Sequence, residues 1–351
     1  MAFTFAGDMM SVSTPLQQDE ASTSSPILVR RQSRFPRIPF VGWVLIFGAS
    51  AFFFPRLYTW NWWGFAPQQA ILPLVQLIMF GMGLTLTTDD FARVLKRPDA
   101  VILGTIAQYS IMPFLAWFYV SLFGLEGEVA AGLILIGCCP GGVSSNVICY
   151  LARANVPLSV TFSVSTTLVA PLATPLFFKL LVGKEIHLNV PEMMLSILTM
   201  ILVPVVLGLI VNQTLGRHVK RIMSILPTIA MFSICIIIAI TIALARDDLM
   251  SVGLLLFAAA ACHNASGYVL GYVTAYLGGM NPRDCRTVAI EVGLQNGGMA
   301  TGLALHVLNS PRMALGSAVF GPWSAVTSSL LASYWNRTTK PDEQTTETEL
   351  S

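Results

Sequence analysis

Glu291 stands inside an otherwise apolar run, TVAIEVGLQNGGMATGLALHV, that covers residues 287–307. An ionised side chain at bilayer depth is costly and by default marks a functional position. No Lys or Arg is expected deep enough to pair with it, so a cation from solution is its natural partner. Oxygen-bearing side chains that could complete such a site recur in neighbouring apolar runs: Gln108, Ser144, Ser145, Asn146, Ser159, Ser163 and Gln295. A hard cation such as sodium takes oxygen ligands, as calcium and magnesium do. Ser159 and Ser163 are one helical turn apart and share a face; serines at that spacing also serve helix–helix hydrogen bonding in membranes. His263 could be a proton relay or a ligand, but a buried helix-packing histidine is the commoner case, and His306 at a span end is blander still.

Interrupted helices are expected to position these groups. The run GLILIGCCPGGVSSNVICYLA, residues 132–152, carries Pro140-Gly141-Gly142 near its middle. Proline removes a backbone donor and clashes with the preceding turn, and the glycines loosen the chain further. Gly293, Gly297 and Gly298 do the same around Glu291, Gln295 and Asn296. Paired interruptions in corresponding spans are a pointer to a transporter's binding site. Half-helices resuming near Val143 and Met299 present their positive ends to the interruption. Asn296, Val143 and Ser144, at those restarts, are the candidate substrate contacts.

The 351 residues are 54% hydrophobic and only 11% charged, against about a quarter charged in soluble domains. Lipid is the natural solvent for such a chain. A net charge of +2 argues against a nucleic-acid face. The six cysteines form no CxxC pair and no zinc-ligand spacing, so neither a disulfide framework nor a structural metal is expected. Residues 1–37 are polar, end in Arg30, Arg31, Arg34 and Arg37, and are expected to be a disordered tail, as is 337–351. No apolar run follows Met1 closely, so this is no secretory signal. Asp19 and Glu20 argue against a plastid transit peptide, leaving a plastid envelope second to the plasma (inner) membrane.

Between the tails, 38–336 is expected to be an all-α polytopic membrane domain of ten spans, near 39–57, 68–87, 98–123, 127–151, 157–182, 190–213, 222–245, 251–278, 284–308 and 312–335. Of 20 basic residues, only Arg56, Lys179, Lys184, Arg246 and Arg312 then fall outside, so both termini are expected in the cytoplasm. Gly141-Gly142 followed by Ser145 matches Gly297-Gly298 followed by Thr301, and Gln108 maps onto Asn264 at the same offset. Asp89-Asp90 and Asp247-Asp248 fall at nearly that offset, as the expected ends of spans two and seven. Five spans per half is odd, so the halves, about 39–182 and 190–335, would be inverted repeats.

The stretches GCCPGGVSSNVICYLARANVPLSVTFS (137–163), EVGLQNGG (291–298) and HNASGY (263–268) resemble the bile acid:sodium symporter family, in order and over residues 39–335. The resemblance implies a panel domain (spans 1, 2, 6 and 7) and a core domain (spans 3–5 and 8–10), with broken spans 4 and 9 crossing in the core. It implies two sodium sites for the coupling ion: Ser145, Asn146, Ser159, Ser163 and Glu291 in one; Gln108, Glu291, Val292, Leu294 and Gln295 in the other, with Val292 and Leu294 offering backbone carbonyls. Ser163 stands where family members often have threonine. Two departures concern substrate: Val143 replaces a threonine of some bacterial members, and their Trp-His-Asn near the last span becomes Trp323-Ser324-Ala325. Two sodium ions bring +2 and Glu291 returns −1, which favours an anion. The function implied is sodium-coupled symport of a small organic anion (bile-acid-like, a hydroxy acid or a 2-oxo acid) by alternating access, not an enzyme. Alternatives are a proton-coupled or efflux carrier of the same fold and a sodium-binding sensor. An intramembrane enzyme using Glu291 with His263 would lack a nucleophile–base motif.

Overall fold

The computed structural model describes residues 40–61, 63–90, 92, 98–142, 144–183, 186, 188–223 and 225–338. The polar tail 1–37, residues 339–351 of the tail expected over 337–351, and the candidate contact Val143 lie outside the described residues; Arg337 and Thr338, expected in that tail, are helical. Apart from one isolated bridge, the regular structure among the described residues is helical. The α-helices are α1 Phe40–Phe53, α2 Ile71–Thr85, α3 Pro98–Phe123, α4 Gly127–Gly137, α5 Ser145–Leu151, α6 Val156–Val182, α7 Val190–Ile197, α8 Val203–Met223, α9 Leu226–Leu244, α10 Arg246–Leu277, α11 Pro282–Gly293, α12 Gly297–Gly302 and α13 Pro311–Thr338. Five described helical stretches are long and apolar enough to cross a membrane: Pro67–Thr85, Pro98–Phe123, Val156–Val182, Val190–Leu215 and Arg246–Leu277. The chain is an all-helical protein built for a bilayer.

Local chemistry sets the helix boundaries. The Asn155 side chain accepts from Leu158 N–H and Asn281 from Asp284 N–H, each just before a proline-led first turn, which is standard capping. The same residues tie α6 to α11. Asn155 Nδ2 donates to Asp284 Oδ1 at 2.8 Å, and its backbone N–H donates to Thr287 Oγ1 at 2.9 Å.

Two local expectations need correction. Asp247-Asp248 do not end a span; they occupy the first turn of α10, which starts at Arg246. Asp90 likewise acts at a helix start, its Oδ2 accepting from Thr87 N–H and Oγ1. Carboxylates favour the positive N-terminal end of a helix. The span expected to run unbroken over 190–213 also contains a π turn, Leu198–Leu202 between α7 and α8, and the ninth span, expected to be interrupted, contains a second, Leu303–Val307 after α12. The second turn carries His306, whose Nε2 accepts from Leu72 N–H at 3.1 Å and so caps the start of α2.

Packing falls into two groups. Helix α2 packs on α8, α1 on α9, and α9 on α2; α10 packs on α11 and α3, α4 on α13, and α3 on α4 and α6. Lipid tails are as apolar as the helices, so close backbone approach rather than hydrophobic exclusion holds such contacts. At the α2–α8 contact, a Cβ on Gly83 would stand 2.1 Å from Val205 O. At the α4–α13 contact, a Cβ on Gly132 would stand 2.1 Å from Met313 O, and one on Gly316 would stand 2.4 Å from the Gly132 carbonyl. These obstacles are backbone atoms and cannot rotate away. Gly132→Ala or Gly316→Ala should therefore lose about 1–3 kcal/mol of stability, seen as a lower thermal midpoint in detergent. A midpoint equal to that of the unaltered protein would show that the helices can separate freely.

Candidate functional site

The two interruptions meet. Helix α4 stops at Gly137 and α5 resumes at Ser145; α11 stops at Gly293 and α12 resumes at Gly297. The extended backbone between them forms an antiparallel bridge, Gly141 opposite Gln295. Gly142 N–H donates to Leu294 O at 3.0 Å, and Asn296 N–H donates to Pro140 O at 2.9 Å. Each broken helix thus satisfies backbone groups that the other exposes, as a low-dielectric interior requires. A Cβ on Gly141 would lie 2.9 Å from Glu291 Oε2, and one on Gly142 would lie 2.9 Å from Gln295 O. At Gly142 the obstacle is backbone, whereas at Gly141 it is the Glu291 carboxylate itself, so a methyl there would displace that head group.

Glu291 is wholly buried beside this bridge. The Ser159 hydroxyl bonds Glu291 Oε1. Ser163 Oγ lies 3.1 Å from Oε2 and 3.3 Å from Oε1, and Ser145 Oγ lies 3.3 Å from Ser163 Oγ. Ser159 Oγ is also 2.8 Å from Asn146 Oδ1. A hydroxyl has one proton, so Ser159 can serve only one of these two acceptors. Oxygen lone pairs therefore outnumber the protons available to them. Among the described residues no Lys or Arg pairs with Glu291. Arg286, buried on the same helix, directs its Nε to Pro282 O at 3.2 Å.

A second polar chain adjoins the first. Gln108 Nε2 donates to Cys139 O at 3.0 Å and to Gln295 Oε1 at 2.8 Å, and Gln295 Nε2 donates to Val292 O at 2.7 Å. Gln108 is fully buried, and its Oε1 has no partner. A buried acceptor in that condition suits a cation. The Val292 and Leu294 carbonyls each accept one hydrogen bond and keep a second lone pair. The expected ligand set is thus brought together at one place.

The candidate substrate contacts divide. Ser144 is exposed at the start of α5. Asn296 is buried: its Oδ1 accepts from Met299 N–H at 3.0 Å, capping α12, and its Nδ2 lies 3.8 Å from Met79 Sδ on α2. Sequence reasoning missed Met79, because nothing distinguishes it from the other methionines. Cys149, expected to behave as a small hydrophobe, is a buried thiol against Ser159 and Thr287. Ser324, in the departing Trp323-Ser324-Ala325 stretch, turns its hydroxyl back to Gly321 O at 2.9 Å. His263 is buried with Nε2 3.0 Å from Met112 O and its ring against Phe320, an arrangement of helix packing. Among the described residues no group of three His, Cys, Asp or Glu could hold a metal.

Known proteins resemble this chain over most of its length. The profile of the sodium bile acid symporter family matches residues 72–252. The chain is 38% identical to an uncharacterized sodium-dependent transporter, YocS, of Bacillus subtilis, over 89% of this chain and 95% of that protein. It is 35% identical to the probable chloroplastic sodium/metabolite cotransporter BASS1 of Arabidopsis thaliana, over 80% of this chain and 69% of that protein. The BASS1 of Oryza sativa is 33% identical over 86% of this chain and 73% of that protein. With this match over more than half its length, and with relatives above 30% identical over more than two thirds of theirs, the chain belongs to the sodium bile acid symporter family.

Proposed function

We propose that this protein is a secondary active transporter that carries a small organic anion together with sodium ions by alternating access. The observation that carries the proposal is Glu291: a buried carboxylate facing Ser145, Ser159, Ser163 and Asn146, with no basic partner among the described residues. In this proposal those residues bind one sodium ion. Gln108, Glu291, Val292, Leu294 and Gln295 bind a second, toward which the unpartnered Gln108 Oε1 would turn. Asn296, Val143 and Ser144 meet the substrate. Two bound cations against one carboxylate leave a positive site, which is why an anion follows sodium.

The proposed architecture is ten spans in 38–336, as inverted repeats of about 39–182 and 190–335, with both termini cytoplasmic in a plasma (inner) membrane. Support comes from the packing groups: α1, α2, α8 and α9 suit a panel, and the helices around the two breaks suit a core that rocks against it. Gln108 and Asn264, matched by the repeat, act alike: each donates an amide N–H to a carbonyl at a break, Cys139 O and Gly293 O. The relatives named as sodium-dependent or sodium/metabolite transporters favour sodium over a proton as the coupling ion.

Two outcomes test the proposal. In proteoliposomes given a panel of labelled organic acids, replacing sodium with choline should stop uptake, and Glu291→Ala should reduce it to the sodium-free background while the protein still inserts. Sodium-independent uptake would assign the carboxylate to a proton, and unchanged uptake by Glu291→Ala would remove it from the mechanism. Gly141→Ala, which drives a methyl toward Glu291 Oε2, should raise the half-saturating sodium concentration about tenfold. An unchanged value would mean that the bridge does not set the carboxylate's position.

A further inference from the structure

Helix α11 ends at Gly293, between the Glu291–Val292 and Leu294–Gln295 pairs that the proposed cation site uses. In a continuing helix the Gly293 carbonyl would accept from the N–H of residue 297. That N–H instead donates to Gln295 O at 3.0 Å. Asn264, fully buried on α10, takes the vacated role: its Nδ2 donates to Gly293 O at 2.9 Å. The amide is itself oriented. Thr327 Oγ1 on α13 donates to Asn264 Oδ1 at 2.7 Å, and Tyr268 Oη lies 3.3 Å from Thr327 Oγ1. With Asn264 Nδ2 on Gly293 O, Asn264 Oδ1 accepts from Thr327 Oγ1, the shortest contact of that hydroxyl; Trp323 O at 3.2 Å and Ser324 O at 3.1 Å compete for its one proton, and Tyr268 Oη can donate to Ser324 O or to Thr327 Oγ1, both at 3.3 Å. The Tyr268 ring lies against Gly293 itself, where a Cβ would stand 2.1 Å from Cδ1.

We propose that Asn264 and Thr327 are positioning residues of the cation site, holding the Gly293 peptide so that the carbonyls on either side keep their aim at the ion. Neither side chain needs to touch the ion. Without the Asn264 amide, Gly293 O is buried and unpaired. The 293–294 peptide then turns to find a donor, taking the Val292 and Leu294 carbonyls with it. Partners one step removed from a metal ligand typically matter by 10–100-fold in affinity. This inference rests on the sodium-coupled function proposed above.

The test uses sodium alone as ligand. The thermal midpoint of the full-length protein in detergent is followed against sodium chloride, with choline chloride holding ionic strength constant. A ligand that binds only the folded state raises the midpoint with concentration. Asn264→Leu should raise the half-saturating sodium concentration about 10–100-fold. Thr327→Val should raise it about 2- to 10-fold, the equivalent of one neutral hydrogen bond, while Thr327→Ser, which keeps the hydroxyl, should stay within about twofold. A purely structural role would lower the sodium-free midpoint in every variant and leave the half-saturating concentration alone, and that result overturns the proposal. Should Asn264→Leu fail to fold, the Thr327 pair decides: equal sodium responses for valine and serine overturn it. A wild-type midpoint that ignores sodium would instead defeat the sodium-coupled function itself.

Discussion

A carboxylate in the middle of a bilayer protein must be neutralised, hydrogen-bonded or both, and this constraint on Glu291 organises the fold around it. Desolvating an isolated charge is far more costly than any single packing contact recovers. The hydroxyls of Ser145, Ser159 and Ser163 gather at Glu291, but hydroxyls carry no charge. Among the described residues no basic group supplies one. What is left is a site whose electrostatic balance closes only with something from solution. In the proposed function that incompleteness couples ion to conformation: a state that binds the ion is stabilised by it, and a ligand shifts an equilibrium only through its differential affinity.

The helix breaks are the second half of the same constraint. Freeing backbone carbonyls inside a membrane is tolerated only where protein or a bound group re-satisfies them. Here the two breaks do so for each other, through the Gly141–Gln295 bridge and its flanking hydrogen bonds. Side chains from α3, α10 and the second break itself complete the set: Gln108 at Cys139, Asn264 at Gly293 and Gln295 at Val292. The bridge also draws Gly141 against the carboxylate, so the element that repairs the backbone is the element that walls the proposed ion site. Geometry of this kind is stiff at its centre. Movement of the core as a body is then more economical than movement within the crossing.

Much of this was legible before any coordinates. Proline and paired glycines announce where a helix stops, and a lone glutamate in an apolar run announces a site, because both are statements about the residue and its solvent. The positions that were misjudged depend on partners far away in sequence. Asp247-Asp248 look the same whether they end one helix or open the next, and only the run of α10 from Arg246 decides it. The π turns leave no local mark; they arise where His306 and Met200 meet α2 and α12. Met79 is one methionine among 15 until Asn296 is found against it. Asn264 was visible as the repeat counterpart of Gln108, but its role waited on Gly293 and Thr327.

That last pair shows how near-symmetry can yield unlike functions. Each proposed repeat places an amide beside a broken helix, and both amides donate to a freed carbonyl. They differ in what happens to the oxygen. Asn264 Oδ1 is taken by Thr327, so the amide has no spare acceptor aimed at the crossing and can only brace. Gln108 Oε1 has no donor at all, and buried acceptors in that condition are rare. The longer glutamine side chain also reaches Gln295, linking the two breaks, whereas the shorter asparagine bonds a single backbone carbonyl. In the proposed site, a hydroxyl beside Asn264 and none on Gln108 Oε1 separates a buttress from a ligand, and only one of the two amide oxygens is left for the ion.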